Sequence, residues 1–244
     1  MGLKNYKIVL SYDGMDYFGW QRQPEKRTIQ GLVEDAVARL AGKPIAVHGA
    51  GRTDAGVHAI GQAASFKAVL KMDAAGILKA LNGILPRDIR VNSVEIVPAA
   101  FHARKSAVGK IYRYRIVTTP TVSPFDLRYV HHWTYPNNLA RMKKAAALFI
   151  REGDFTGFSS NQDRSPVRRV TRSELSRKGG ELIYTIEANG FLRYMVRTIV
   201  GTILEVGRGK LPLEAIEETF AKKSRSLGSP TAPANGLCLI QVKY

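Results

Sequence analysis

The densest group of chemically capable side chains lies in residues 51–59, with the sequence GRTDAGVHA. The carboxylate Asp54 stands between two glycines, and the cation Arg52 comes two residues before it. Glycine permits backbone bends that a Cβ would prevent, and loops on a rigid scaffold commonly carry catalytic groups. Asp54 is therefore a candidate nucleophile or general base steered by Arg52. The alternative is a turn aspartate that bonds to its own backbone.

The same segment argues against two common kinds of site. No lysine follows the second glycine, so the segment is not a phosphate-binding loop of the GxxxxGK type. Asp54 and His58 are four residues apart, but a metal ion needs more ligands than these two. We expect His58, and likewise His48 and His102, to be structural rather than catalytic.

Further candidates lie in the second half of the chain. Residues 110–114, KIYRY, should form a strand with Tyr112 and Tyr114 on one face. Such a ring can stack on a nucleobase or pack in the core. Arg197 interrupts an apolar helix, where an unpaired charge is costly, so we expect it to have a partner. Candidates for phosphate contacts, or alternatively for a solvated strand face, are Arg164, Arg168, Arg169, Arg172 and Arg177.

Hydrophobic spacing predicts the elements that position these residues. The elements expected in the first half are strands at 7–12, 45–47, 62–66 and 88–97, and helices at 29–41 and 74–81. Thr28 and Asp73 are the expected N-caps. This β-α-β-β-α-β order is that of a ferredoxin-like split βαβ unit, with an antiparallel sheet and helices on one face.

The second half is predicted to repeat this order with longer insertions. Its expected elements are strands at 111–117, 167–175, 182–188 and 237–242, and helices at 139–149, 194–206 and 212–220. The resulting prediction is an α+β fold of two ferredoxin-like, RRM-like halves. We expect residues 1–104 to form the domain that carries Asp54, and residues 105–244 to form a second, more basic domain.

The charge balance is the unusual feature of the composition. The 244 residues include 37 Lys and Arg against 20 Asp and Glu, a formal net charge of +17. Residues 1–104 hold 14 basic and 9 acidic side chains, while residues 105–244 hold 23 and 11, so most of the excess lies in the second half. The expected partner is a polyanion such as RNA, contacted mainly by the second half.

Other bulk features narrow the class of protein. Hydrophobic residues make up 45%, enough for a sizeable core. The single cysteine, Cys238, allows neither an internal disulfide nor a cysteine-based metal site. No apolar run reaches the length of a membrane span, and the first residues lack a secretory apolar segment. We therefore expect a cytoplasmic protein.

Several ordered motifs resemble those of the bacterial tRNA pseudouridine synthase I (TruA) family. The matching blocks are YDG (12–14), YFGWQRQ (17–23), GRTDAGVHA (51–59), FHAR (101–104), YRY (112–114), DFT (154–156), MVR (195–197) and GL (236–237). These blocks occur in the family's order and span nearly the whole chain. Chance similarity does not account for so many ordered blocks.

The resemblance implies a fold, an activity and site residues. Two ferredoxin-like halves would form a central cleft, and the enzyme would isomerise uridine to pseudouridine at positions 38, 39 and 40 of the tRNA anticodon stem-loop. Asp54 matches the catalytic aspartate; attack on C1′, attack on C6 and proton abstraction all stay open for it. The matching Arg52 helps extrude the target nucleotide, and Tyr112 stacks on the uracil. Arg197 pairs with the catalytic carboxylate and keeps it ionised, and Leu237 lines the uracil pocket.

The resemblance also implies a homodimer in which one tRNA spans both subunits. No cofactor is expected, because the isomerisation is redox-neutral. Phe155 and Phe158 are further candidates for the pocket wall. The residues alone bear on two other classes. An RNA-binding module of two RRM-like folds stays open. A metal-dependent nuclease would need several clustered acids, and the sequence shows no such cluster.

Overall fold

The computed structural model describes residues 2–160, 165–224 and 230–244. In chain order its elements are β1 (Lys4–Tyr12), α1 (Ile29–Ala41), β2 (His48–Gly49), β3 (His58–Ala68), α2 (Ala74–Ile84), β4 (Ile89–Val97), β5 (Gly109–Val117), β6 (His131–His132), α3 (Leu139–Ala147), β7 (Glu152–Asp154), β8 (Val167–Lys178), β9 (Glu181–Ala188), α4 (Met195–Gly207), α5 (Glu214–Lys222) and β10 (Leu237–Lys243). Short 3-10 turns occupy Thr156–Phe158 and Ala234–Gly236. The fold is α+β, as predicted.

The chain divides into two compact units. Unit 1 comprises Met1–Val108 and Cys238–Tyr244, and unit 2 comprises Gly109–Leu237. The division thus lies four residues after the boundary predicted at 104/105. The residues after Leu237 return to unit 1, whereas the sequence prediction assigned them to the second domain.

Unit 1 is built on an antiparallel sheet with strand order β4-β1-β3, and the short β2 pairs antiparallel with β3. Strand β10 pairs parallel with β3, placing Cys238 opposite His58. Helix α1 begins as predicted, because the Thr28 hydroxyl accepts the Gly31 N–H at 3.3 Å. It ends at Gly42, whose φ of +69° suits a left-handed cap. Asp73 caps α2 in the same way.

The predicted strand at residues 45–47 is wrong. The strand in this region is the two-residue β2, which begins at His48, directly after the predicted range. The cause is a tertiary contact: the Val47 N–H donates to Glu34 Oε1 at 3.1 Å, and its carbonyl accepts from Gln30 Nε2 at 3.0 Å. Side chains of α1 therefore take the backbone bonds that a strand would have used.

Within unit 2 the strands pair antiparallel in the order β5-β9-β8-β7, and β6 pairs parallel with β5. Strands β8 and β9 form the predicted hairpin, whose turn contains Gly179 at a φ of +58°. Helix α4 is buried along nearly its whole length. The polar alternation along β5 buries Tyr112 and Tyr114 on one face and exposes Arg113 on the other, as the sequence predicted.

Candidate active site

Hydrogen bonds hold the loop between β2 and β3 at several points along its length. We call residues 51–57 the Asp54 loop. Its turn closes where the Val57 N–H donates to the Asp54 carbonyl at 3.1 Å, and Gly56 supplies the positive φ, +78°. The Gly56 N–H donates outward to the Tyr17 carbonyl at 3.4 Å. Asp54 itself is half-buried and begins this turn.

Buried groups hold the residues before Asp54. Thr53 is buried, and its hydroxyl shares a hydrogen bond of 2.8 Å with the Tyr12 hydroxyl. The Thr53 carbonyl accepts the Trp20 N–H at 3.0 Å. The Gly51 carbonyl accepts from Gln62 Nε2 at 2.9 Å. The position of Asp54 is therefore fixed by its covalent neighbour on one side and by the turn on the other.

Gly19 allows the Tyr17–Trp20 segment to approach the loop closely. Its φ is +82°, and a Cβ built on it would lie 2.5 Å from the Thr53 carbonyl oxygen. Real Cβ atoms do not approach an oxygen so closely, so only glycine fits here. Arg52 is exposed, and its Nε donates to Gln21 Oε1 at 3.1 Å. The loop thus presents a cation outward while its own backbone is held in place.

The histidines beside the loop have structural partners. His58, nearly buried, accepts the Gly14 N–H at 3.0 Å on Nδ1, which also lies 3.1 Å from Asp13 Oδ1. His48 and His102 stack with ring centroids 4.9 Å apart. Burial, followed by the proximity of His48, lowers the pKa of His102. Among the described residues no group of three or more His, Cys, Asp or Glu could hold a metal ion.

In unit 2, Tyr112 lies on β5, is 7% exposed, and meets the edge of Phe191 at a centroid distance of 5.2 Å. Its neighbour on the same face, Tyr114, is fully buried and donates its hydroxyl to the Pro233 carbonyl at 2.8 Å. Burial raises the pKa of Tyr114, so this hydroxyl stays protonated. Tyr114 is a structural group, whereas Tyr112 keeps a small accessible edge.

Arg197 lies in the first turn of α4 and is half-buried. It is anchored to Ala232, which lies after α5. Its Nε donates to the Ala232 carbonyl at 2.7 Å, and its own carbonyl accepts the Ala232 N–H at 3.0 Å. Its guanidinium carbon lies 5.0 Å from the centroid of the Tyr194 ring. Tyr194 takes a left-handed φ of +61° immediately before the helix. These contacts fix the direction in which the charge of Arg197 is presented.

The predicted pocket residues differ in their surroundings. Leu237 is 5% exposed and follows the short 3-10 turn at Ala234–Gly236. Phe155 and Phe158 are fully buried in a cluster with Phe149 and Phe220, where neighbouring ring centroids are 4.9–6.2 Å apart. The two phenylalanines are thus core residues of unit 2.

The predicted basic cluster lies mainly along β8. Arg169, Arg172 and Arg177 are exposed and Arg168 is half-buried, while Arg164 lies outside the described residues. Arg172 pairs with Glu174 at 2.8 Å, and Arg177 Nε donates to the Gly179 carbonyl at 3.1 Å.

Among the described helices, none is long and apolar enough to cross a membrane.

Sequence reasoning did not single out Tyr12 or Gln62 as parts of the site. The available signal was Gln62, a polar residue at the start of the run 62–66, which is buried throughout. A glutamine in such a run must find hydrogen-bond partners inside the protein. Which groups those are depends on the pairing of distant strands, and the sequence does not supply that pairing.

The similarity to known proteins extends over nearly the whole chain. A family model described as tRNA pseudouridine synthase matches residues 8–104 and 145–244. Three similar proteins are each named tRNA pseudouridine synthase A. That of Thermodesulfovibrio yellowstonii is 43% identical over 98% of this chain and 99% of its own. That of Solibacter usitatus is 42% identical over 99% of this chain and 100% of its own. That of Limosilactobacillus fermentum is 41% identical over 99% of this chain and 96% of its own. This chain therefore belongs to the tRNA pseudouridine synthase family.

Proposed function

We propose that this protein isomerises uridine to pseudouridine at positions 38, 39 and 40 of the tRNA anticodon stem-loop, with Asp54 as the catalytic nucleophile. The observation that carries the proposal is the match to the family along nearly the full chain. The tethered Asp54 loop supports the choice of residue, because a nucleophile must be held in one geometry.

The reaction explains why a carboxylate and no redox group is needed. The bond between N1 of uracil and C1′ of the ribose breaks, and a bond from C5 to C1′ forms. The C5 proton is lost and N1 gains a proton, so atoms and electrons balance within the nucleotide. The base must first leave the stack, detach and turn. A fixed carboxylate can attack or remove a proton at one of these stages.

The remaining roles follow the family resemblance and are proposals. Arg52, exposed beside Asp54, extrudes the target nucleotide and occupies the vacated space. Tyr112 stacks on the uracil, a contact worth about 1–3 kcal/mol per base. Leu237 contributes an apolar wall to the uracil pocket, and Arg197 keeps the catalytic carboxylate ionised. The anchoring of Arg197 by Ala232 supports a role that requires a fixed charge.

The assembly is also part of the proposal. The strand order β4-β1-β3 with β2 beside β3 is the order of a split βαβ unit, which supports a ferredoxin-like first half. In unit 2 the elements β5, α3, β8, β9 and α4 follow one another as such a unit requires. We propose a cytoplasmic homodimer in which one tRNA spans both subunits, and no cofactor.

The test is incubation with a uridine-labelled anticodon-arm transcript, without added metal and in EDTA, followed by nucleoside analysis. Pseudouridine should form with the wild-type protein. Transcripts with cytidine at positions 38, 39 and 40 should yield none. Asp54→Asn should lower the rate at least about 10³-fold while leaving tRNA affinity unchanged or increased, because a carboxylate repels phosphate.

The matched control is Asp73→Asn, since asparagine caps a helix as well as aspartate does. This variant should keep the wild-type rate. Tight binding of the transcript without any pseudouridine would favour an RNA-binding module over an enzyme. Activity of wild type that disappears in EDTA would instead favour a metal-dependent enzyme, and full activity of Asp54→Asn would remove that residue from the mechanism.

A further inference from the structure

A chain of buried polar side chains lies beneath the Asp54 loop. Gln62 Nε2 donates to the Gly51 carbonyl at 2.9 Å and, more weakly, to the Tyr12 hydroxyl at 3.5 Å. The Tyr12 hydroxyl in turn shares its bond of 2.8 Å with Thr53. Tyr12 is 4% exposed and Gln62 is fully buried. The chain therefore reaches the loop at two points, both within three residues of Asp54.

The two side chains come from strands that end at the loop. Tyr12 is the last residue of β1, and β3 begins at His58, directly after the loop. The pairing of β1 with β3 is irregular here, because Leu10 opposes Gln62 but Tyr12 opposes Ala59. Bulges of this kind re-aim side chains and are frequent next to active sites. The irregularity lets Tyr12 and Gln62 both reach the loop from adjacent strands.

Core packing alone does not account for these residues. Gln62 Oε1 is buried and has no hydrogen-bond partner among the described residues, so the glutamine carries a desolvation cost that an apolar residue would avoid. Burial also raises the pKa of Tyr12, which keeps its hydroxyl protonated and able to bond. A buried network that is costly yet connected fixes one conformation of the groups it touches.

We propose that Tyr12 and Gln62 are positioning residues that set the place of the Asp54 carboxylate by fixing Thr53 and Gly51. This inference rests on the proposed role of Asp54. With the Thr53 carbonyl held by Trp20 and its hydroxyl held by Tyr12, the residue before Asp54 has little freedom. A displacement of about 1 Å in a reacting group can lower the rate roughly 100-fold.

The experiment compares Tyr12→Phe with Tyr184→Phe. The Tyr184 hydroxyl, also buried, shares a bond of 2.7 Å with Ser173 within unit 2. Each substitution removes one short buried bond of a tyrosine hydroxyl, and Tyr12→Phe also removes the weak 3.5 Å bond from Gln62, so each should lower Tm by about 2–4 °C. Only Tyr12→Phe should lower the single-turnover rate of pseudouridine formation, by about tenfold or more, with tRNA affinity unchanged. Tyr184→Phe should turn over like wild type.

A second pair of variants covers a folding failure of Tyr12→Phe. Thr53→Val removes the partner hydroxyl without changing the shape of the side chain, and should slow turnover like Tyr12→Phe. Thr53→Ser keeps the hydroxyl and should recover part of the lost rate. The variant that combines Tyr12→Phe with Thr53→Val should be no slower than the slower of the two single variants. Both substitutions remove the same hydrogen bond, so their effects should not add.

The outcomes separate this inference from the proposed function. If Asp54→Asn abolishes turnover but Tyr12→Phe and Tyr184→Phe have equal rates, the positioning role is overturned and the function stands. Equal rates for Thr53→Val and Thr53→Ser would overturn it as well. If Asp54→Asn keeps full activity, the catalytic role of Asp54 and the positioning role both fail, because no catalytic carboxylate then needs positioning.

Discussion

The Asp54 loop and strand β8 hold their charged groups in opposite ways. The loop is held by hydrogen bonds to backbone groups of Tyr17 and Trp20 and to the buried side chains of Tyr12 and Gln62. On β8 the side chains of Arg169, Arg172 and Arg177 are exposed, and Arg172 and Arg177 bond to groups only two residues away. The loop is fixed by distant parts of the unit, whereas the strand carries its charges on long, exposed side chains.

This difference corresponds to two tasks. Bond rearrangement requires a group held within a fraction of an ångström, whereas attraction of a phosphate backbone tolerates variation in position and depends on charge. Arg197 is informative because it is an arginine of unit 2 that is anchored like the loop, through Ala232 and Tyr194. By this criterion we group Arg197 with the proposed catalytic residues.

Apart from substitution of Asp54 itself, the largest effect should come from Arg197→Ala. We expect the single-turnover rate to fall roughly 100-fold, with a smaller loss of tRNA affinity. If Arg197 keeps the catalytic carboxylate ionised, as proposed above, its removal should move the acid limb of the pH–rate profile to higher pH. The control is Arg193→Ala, because Arg193 is exposed and its guanidinium lies at the same 5.0 Å from the Tyr194 ring. If Arg197→Ala converts bound tRNA at the wild-type rate, Arg197 does not belong with the proposed catalytic residues.

A smaller loss is expected from Gly19→Ala. The added Cβ collides with the Thr53 carbonyl, so the loop must shift. Gly42→Ala is the matched control, because Gly42 has a similar positive φ, +69°, with no atom near its would-be Cβ. Both variants should lose about 1 kcal/mol of stability from the left-handed backbone, measured by urea denaturation. Only Gly19→Ala should also slow turnover, by roughly tenfold. Equal rates in the two variants would mean that the loop does not need its anchors.

The sequence predicted those parts of the fold that depend on neighbouring residues. Thr28 and Asp73 cap their helices because the bonds involved span three residues. The β8–β9 hairpin likewise follows from its turn. The strand predicted at 45–47 is wrong because its backbone bonds went to Glu34 and Gln30, which are close only after folding. The pairing of β10 with β3 is equally a long-range event that local patterns do not encode.

The candidate site shows the same limit. Its reactive residue types were visible in the sequence, since a carboxylate between glycines and a cation in an apolar helix are both unusual. The supporting contacts were not visible. Tyr12 and Thr53 are 41 residues apart, and Arg197 and Ala232 are 35 apart. Such contacts follow from the tertiary structure, so the sequence supplied the candidates for a reacting group but not the contacts that hold them.

The smallest effects should come from β8, where two exposed arginines differ in their partners. Arg172 is paired with Glu174, while the Arg169 side chain forms no ion pair with any described residue. Arg169→Gln should therefore weaken tRNA binding more than Arg172→Gln, and should reduce the slope of log affinity against log salt by about 1.

Glu174→Gln sharpens this comparison, because it removes the acid that competes with phosphate for Arg172. Affinity for tRNA should then rise slightly, and the salt slope should steepen. Turnover at saturating tRNA should be the same in all three variants, since attraction of phosphate does not require charges at exact positions. Filter binding over a salt series, with single-turnover assays on the same preparations, measures both quantities. A slower bound-state rate in Arg169→Gln would place β8 with the fixed groups, and the contrast between strand and loop would then be lost.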